Sequence, residues 1–152
     1  MQQALKEAQQ AFEEDEVPIG AVAVFKNQII GRGHNRIEHL QDPTAHAEII
    51  AITAAANALH SWRLEDVVVY TTIEPCIMCA SALVLARVEK IVFGARDEKF
   101  GGCGSIFNIV REKKLNHQIE VVEGICQAPA AALMKDFFEK KRKQSNTIKN
   151  RK

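Results

Sequence analysis

Residues 67–94 read VVVYTTIEPCIMCASALVLARVEKIVFG, and this stretch decides the fold. Its first seven residues are rich in β-branched side chains and predict a buried strand. A helix from about Pro75 to Arg87 is expected next, because proline suits the first helical position, and residues 90–94 predict a second strand. Strand, helix and strand in this order form a βαβ unit, so the two strands should be parallel with a right-handed crossover.

The remaining segments predict three more strands and several flanking helices. Residues 19–25 and 28–33 flank a polar turn, which is typical of an antiparallel hairpin. Residues 45–60 are apolar nearly all round, which indicates a buried helix. We therefore expect an α/β fold with three layers, α/β/α, around a central mixed five-stranded sheet. The other expected elements are an amphipathic helix at 4–14, a loop at 35–44, a helix near 106–112, a strand near 119–123 and a closing helix at 128–143 with Leu133, Phe137 and Phe138 on its inner side.

Composition and charge exclude several classes of protein. The 152 residues are 47% hydrophobic and 26% charged, which excludes a disordered chain, a collagen-like chain and a long coiled coil. No apolar run approaches the roughly 18 residues of a membrane span, and no secretory signal is apparent, so we expect a cytoplasmic protein without a membrane partner.

The charge of the chain is concentrated at one end. From Lys135 onward there are eight Lys or Arg and two acids, a net +6, which leaves −5 for residues 1–134. A mildly acidic body with a basic end indicates a local anionic partner, and the alternative is a solvated, frayed end without one. We predict one domain over 1–143 and a basic, flexible tail over 144–152.

Two short motifs carry the candidate chemistry, His46-Ala47-Glu48 and Pro75-Cys76-Ile77-Met78-Cys79. Each begins a predicted helix, and helix N-termini in a layered sheet gather along the edge where ligands bind. One His and two Cys suit Zn²⁺, and three protein ligands leave the fourth tetrahedral position open to water. Glu48 is expected to face that water as a proton shuttle. Thr44 is the expected N-cap, although its capping-box partner is an alanine.

The motifs alone leave other functions open. Cys76 and Cys79 are also spaced like a redox pair, although a thioredoxin-like pair gives no role to the His-x-Glu motif. A fourth protein ligand from Cys103, His34 or His117 would make the zinc structural. A zinc-stabilised RNA-binding module without catalysis is a further alternative.

A His-x-Glu motif followed by Pro-Cys-x-x-Cys is the signature of zinc deaminases that act on nucleobases, and tRNA adenosine deaminase is itself a recognised example. The chain resembles the cytidine deaminase superfamily, and within it the bacterial tRNA-specific adenosine deaminases. The resemblance runs from about Ala4 to Arg142. Beyond the zinc signature, it rests on residues 16–21, 34–35, 61–64, 93–97, Lys99, Gly101, 116–117 and 136–138.

This resemblance implies a homodimer with one Zn²⁺ per subunit and no nucleotide cofactor. The implied activity converts the wobble adenosine of a tRNA anticodon stem-loop, that of an arginine tRNA, to inosine. A deaminase of a free base or nucleoside, such as guanine or cytidine, is the alternative. The resemblance implies His46, Cys76 and Cys79 as metal ligands and Glu48 as the catalytic proton shuttle. It implies base contacts from Asn35, the Ala47 backbone N–H, Val17, Pro18, Ile73 and Phe138, and a ribose contact from Asp97.

Overall fold

A computed structural model describes residues 1–149. The helices are α1 (Gln2–Glu13), α2 (Ile37–Leu40), α3 (Ala47–Leu59), α4 (Ile77–Leu85) and α5 (Gln127–Lys149), with a short 3₁₀ helix at Ile109–Arg111. The strands are β1 (Gly20–Phe25), β2 (Gln28–His34), β3 (Val67–Ile73), β4 (Lys90–Ala95) and β5 (Glu120–Val122).

The strands form one mixed sheet in the order β2-β1-β3-β4-β5. β1 pairs antiparallel with β2 and with β3, which confirms the predicted hairpin. β3 and β4 pair in parallel, as do β4 and β5. The predicted βαβ unit at 67–94 is therefore confirmed, with α4 as its crossover helix.

Helices cover both faces of the sheet. The larger core lies beneath α3 and α4 and includes Ile52, Leu83 and Phe93, all buried. On the opposite face, a Cβ at Gly20 of β1 would overlap the α1 backbone at Ala4 and Ala8, so α1 lies directly against the sheet. α5 packs on the same face. The three-layer α/β/α arrangement is thus the one that the sequence predicts.

Several element boundaries differ from the prediction. The expected loop at 35–44 contains α2, a single helical turn. α5 continues to Lys149, six residues beyond its expected end, since residues 144–149 contain neither Pro nor Gly to stop a helix. The predicted boundary between domain and tail at residue 143 falls inside α5 and stays a prediction, and residues 150–152 of that tail lie outside the described residues.

The inner face of α5 was only partly predicted. Phe137 is buried and Leu133 half-buried, but Phe138 is 43% exposed, so the expectation was wrong for Phe138. Neighbouring residues on a helix point about 100° apart, so Phe137 and Phe138 do not share the core face. Within residues 1–149, no helix is both long enough and apolar enough to cross a membrane.

Candidate metal centre and active site

The candidate site lies at the N-termini of α3 and α4. His46 and Cys76 are the N-cap residues of these helices, both with extended backbone, and neither side chain makes a capping hydrogen bond. Both side chains are therefore available to a shared site, which Cys79 joins from the first turn of α4. The prediction of Thr44 as the N-cap of α3 was wrong. The N–H and the hydroxyl of Thr44 donate instead to Asp42 Oδ1, at 2.8 and 2.7 Å.

The start of α4 also differs from the prediction. Pro75 lies before the N-cap rather than at the first helical position. Its carbonyl accepts the Gly102 N–H at 2.8 Å, so the turn that carries Cys76 is joined to the glycine loop that follows β4.

The end of β2 brings a third segment to the site. A Cβ at Gly33 would overlap the Ala47 carbonyl oxygen, so only glycine lets α3 begin so close to the strand. The Arg36 N–H donates to the Ala45 carbonyl at 3.0 Å. Asn35, which is 3% exposed, is held between these contacts and therefore lies beside the start of α3.

The three candidate ligand atoms converge on one point. His46 Nδ1 is 3.6 Å from Cys76 Sγ and 3.6 Å from Cys79 Sγ, and all three ligand atoms lie within 4.8 Å of one another. Zn–S and Zn–N bonds of about 2.3 and 2.05 Å that meet at a tetrahedral angle place sulfur and nitrogen about 3.6 Å apart. The residues therefore fit a zinc ion, with Nδ1 as the ligating atom of His46.

The electrostatics of the cluster also suit a cation. Hydrogen bonds from Cys79 and His46 lower the pKa of the Cys76 thiol to about 4, so it is a thiolate at neutral pH. The hydrogen bond to Cys76 raises the pKa of His46, and the bond to Cys76 together with burial raises the pKa of Cys79. Negative charge thus resides on the Cys76 sulfur, while Cys79 keeps a proton that a divalent cation displaces on binding.

Glu48 provides a buried acid–base group next to the cluster. Its side chain, in the first turn of α3, is only 3% exposed and lies within hydrogen-bond reach of Cys79. Burial, with a smaller contribution from the Cys76 thiolate, raises the pKa of Glu48 to about 7. A carboxyl group with such a pKa exchanges protons readily near neutral pH, as general acid–base catalysis requires.

None of the three residues considered as a fourth ligand, Cys103, His34 and His117, belongs to the cluster. Within residues 1–149, the His46 cluster is the only grouping of three or more potential metal ligands. His34 is held between Glu7 and Glu14, at 3.2 and 3.1 Å. His117 bonds the Val88 carbonyl at 2.7 Å. This arrangement favours an open fourth position over a structural zinc.

The residues implied for substrate binding are only partly enclosed. Asn35, Ala47, Pro18 and Ile73 are buried, Val17 and Asp97 are half-buried, and Phe138 is exposed. The Asp97 side chain also has a local role, since its Oδ1 accepts the N–H groups of Lys99 and Phe100 at 2.9 and 3.1 Å. The base and ribose contacts of all these residues stay predictions.

Two buried carboxylates, Glu16 and Glu74, have no role in the predicted site, and each is 2% exposed. Glu74 accepts the backbone N–H groups of Asp97, Cys103 and Ser105 at 3.0–3.1 Å, and also the Ser105 hydroxyl. It thereby holds the 97–105 loop against the turn that carries Cys76. One feature of the sequence could have indicated this role of Glu74: an ionisable residue stands directly between a buried strand and Pro75.

A three-layer α/β/α fold with a His-Cys-Cys cluster and a buried glutamate at two helix N-termini defines the class of nucleobase deaminases. A family model described as MafB19-like deaminase matches residues 1–142. A tRNA-specific adenosine deaminase of Bacillus subtilis (strain 168) is 47% identical over 149 residues, which cover 98% of this chain and 92% of that protein. The chain belongs to the family of tRNA-specific adenosine deaminases.

Two further comparisons agree with this assignment. A tRNA-specific adenosine deaminase of Aquifex aeolicus (strain VF5) is 49% identical over 139 residues, 91% of each protein. A solved structure from studies of A-to-I editing by tRNA:A34 deaminases at the wobble position superposes with a TM-score of 0.85 at 41% identity, over 88% of this chain and 96% of that one.

Proposed function

We propose that this protein deaminates the wobble adenosine of a tRNA anticodon stem-loop, that of an arginine tRNA, to inosine, with one Zn²⁺ per subunit. The observation that carries the proposal is the pair of 3.6 Å separations between His46 Nδ1 and the two sulfurs, with the buried Glu48 beside them. Identity of 47–49% to proteins named as tRNA-specific adenosine deaminases favours tRNA over a free base as substrate.

The reaction consumes one water and releases one ammonia. A bound Zn²⁺ supplies activation of the attacking water, whose pKa it lowers to about 7. Glu48 accepts a proton from that water and delivers it to N1 of the adenine. After oxygen has bonded to C6, Glu48 accepts the remaining proton from the new hydroxyl group and transfers it to the exocyclic amine. The C6–N6 bond then breaks, ammonia leaves and the base becomes hypoxanthine.

The base reaches this site only after it leaves the stack of the anticodon loop, at a cost of a few kcal/mol. Asn35 and the Ala47 backbone N–H hold its polar edge, while Val17, Pro18 and Ile73 form apolar walls. These three side chains add contact area without hydrogen bonds. Orientation of the base is therefore determined mainly by the two polar groups.

The basic end of the chain contributes RNA affinity. Lys140 and Lys141 pair with Asp15 at 3.5 and 2.7 Å, so they attach α5 to the end of α1. Arg142 and Lys143 are exposed and follow on the same helix. Lys135 pairs with Glu139 at 4.0 Å, so among the basic side chains that the structure describes from Lys135 onward we assign phosphate contacts to Arg142 and Lys143.

The functional unit is a homodimer. Apolar side chains are exposed along α4, from its first to its last residue, and on the loop next to its start; they are Ile77 (38%), Leu85 (71%), Phe100 (64%), Ile106 (48%) and Phe107 (56%). The Ile77 N–H donates to the Phe100 carbonyl, and the Phe107 N–H donates to the Gly101 carbonyl, so α4 and the loop form one surface. An apolar surface of this kind indicates a protein interface, and a second copy of the chain supplies the matching surface.

Because its proposed substrate is a tRNA, we expect the dimer to act in the cytoplasm.

The proposal is tested with anticodon stem-loops that carry adenosine at the wobble position, assayed beside free adenosine, cytidine and guanine. We expect inosine in the stem-loop only. Turnover of free bases alone would replace the tRNA proposal with the alternative, a deaminase of free bases or nucleosides.

Glu48→Ala should keep zinc and RNA binding and lose inosine formation. If the wild-type protein binds zinc and RNA but forms no inosine, it is a binding module.

A further inference from the structure

We propose that Glu16 is a positioning residue whose buried carboxylate sets the orientation of the Asn35 amide that recognises the base. This inference rests on the proposed function, because the orientation of Asn35 affects the reaction only if that amide contacts the substrate. Glu16 itself does not contact the base and acts through Asn35.

Both oxygens of the Glu16 carboxylate are engaged inside the protein. Asn35 Nδ2 donates to Oε2 at 3.1 Å. The backbone N–H of His39 donates to Oε1 at 2.7 Å. Glu16 and Asn35 are 2% and 3% exposed, so water does not compete strongly for either group.

The chemistry of these partners allows one orientation of the Asn35 amide. Both Glu16 oxygens are acceptors in these two bonds, so the NH₂ group of Asn35 faces Glu16. The Asn35 carbonyl oxygen and its second N–H then point away from the carboxylate. The backbone of Asn35 is held independently, since its N–H donates to the Ile19 carbonyl at 3.0 Å. The bond to Glu16 therefore determines the side-chain orientation.

Glu16 also joins the segments that surround the base. Its own N–H donates to the Ala11 carbonyl at 2.9 Å, which ties it to the end of α1. Its side chain reaches the end of β2 at Asn35 and α2 at His39. Val17 and Pro18, which are proposed to wall the pocket, follow it directly in the chain. One buried carboxylate thus connects the end of α1, the end of β2 and α2 around the Asn35 amide.

Glu16→Gln tests the proposal because it keeps the shape of the side chain at position 16 and forces the Asn35 amide into the opposite orientation. The His39 N–H only donates, so the oxygen of the new amide must face it and the new NH₂ group must face Asn35. Asn35 must then turn over to present its carbonyl oxygen. We expect KM for the stem-loop to rise about tenfold, with kcat changed less than about twofold and zinc content unchanged. Glu13→Gln, the same change at an exposed position of the preceding helix, should leave KM unchanged.

A double-mutant cycle separates positioning from a merely structural role. If Glu16 acts through Asn35, then Glu16→Gln has little further effect on KM in an Asn35→Ala background. If the two substitutions raise KM multiplicatively, the proposal is overturned. Should Glu16→Gln fail to fold, Glu16→Asp keeps the charge, shortens the reach by one methylene and must show the same dependence on Asn35.

The outcomes also distinguish this inference from the proposed function. A wild-type protein that forms inosine, with a Glu16→Gln variant of unchanged KM, would overturn the inference alone. A wild-type protein that forms no inosine from the stem-loop would overturn both.

Discussion

Replacement of Glu48 by glutamine is expected to stabilise the zinc-depleted protein at pH 8 and to abolish most of the activity of the zinc-loaded protein. Burial raises the pKa of Glu48 from 4.5 to about 7. Between these two pH values the native state keeps a proton that the unfolded chain releases. The free energy of unfolding therefore falls as the pH rises through this window, and it stays lowered above pH 7.

The size of this effect follows from the same two values. At about 1.4 kcal/mol per pH unit, the interval from 4.5 to about 7 corresponds to a loss of about 3 kcal/mol at pH 8. At pH 5 the loss is below about 1 kcal/mol. Glutamine has no such titration, so the stability advantage of Glu48→Gln should grow by about 2 kcal/mol from pH 5 to pH 8. For a chain of this length that is a shift of about 4–8 °C in Tm.

Thermal unfolding of chelator-treated protein at pH 5 and pH 8 measures this difference. Glu89→Gln, at an exposed position, is the control and should show no pH-dependent gain. The zinc-loaded Glu48→Gln variant should lose about 10²- to 10⁴-fold in kcat, the contribution of a general acid–base group. An equal Tm difference between variant and wild type at both pH values would refute the reasoning from burial.

Three further outcomes are expected. Zinc binding at pH 7 should release about one proton or more, because the raised pKa of Cys79 keeps its thiol protonated until the metal binds. Calorimetry in buffers of different ionisation enthalpy measures this release, and no release would contradict the raised pKa of Cys79. Leu85→Lys should shift light scattering from dimer to monomer with the fold of the single chain retained, because Leu85 is 71% exposed there, and a persistent dimer would move the interface elsewhere. The double variant Arg142→Ala and Lys143→Ala should lower the salt dependence of RNA affinity by about two in slope, and an unchanged slope would place the phosphate contacts elsewhere.

The convergence of the three candidate metal ligands was predictable because it depends on local structure. His46 and Cys76 precede helices whose apolar pattern is strong, and the strands before these helices, β2 and β3, end at the same edge of the sheet. The precise start of each helix was not predictable from propensity. Pro75 suits a first helical position, yet the chain stays extended through Cys76, the residue whose side chain joins the site.

The sequence pattern did not predict the roles of the two supporting carboxylates, Glu74 and Glu16. The partners of Glu74 are backbone N–H groups 23–31 residues further along the chain, and any residue type supplies such a group. The bond between Glu16 and Asn35 spans 19 residues and depends on how β2 ends. The exposure of Phe138 likewise depends on which side of α5 packs against α1. Two adjacent phenylalanines in a sequence do not show which of them faces the neighbouring helix.

X-ray absorption at the zinc edge of the loaded protein tests the central claim most directly. The account predicts one zinc per chain, with two sulfur atoms at about 2.3 Å from Cys76 and Cys79 and two nitrogen or oxygen atoms at about 2.0–2.1 Å. One of these lighter atoms is His46 Nδ1 and the other comes from exchangeable solvent. A shell of three or four sulfurs, or a protein that binds no zinc, would contradict it.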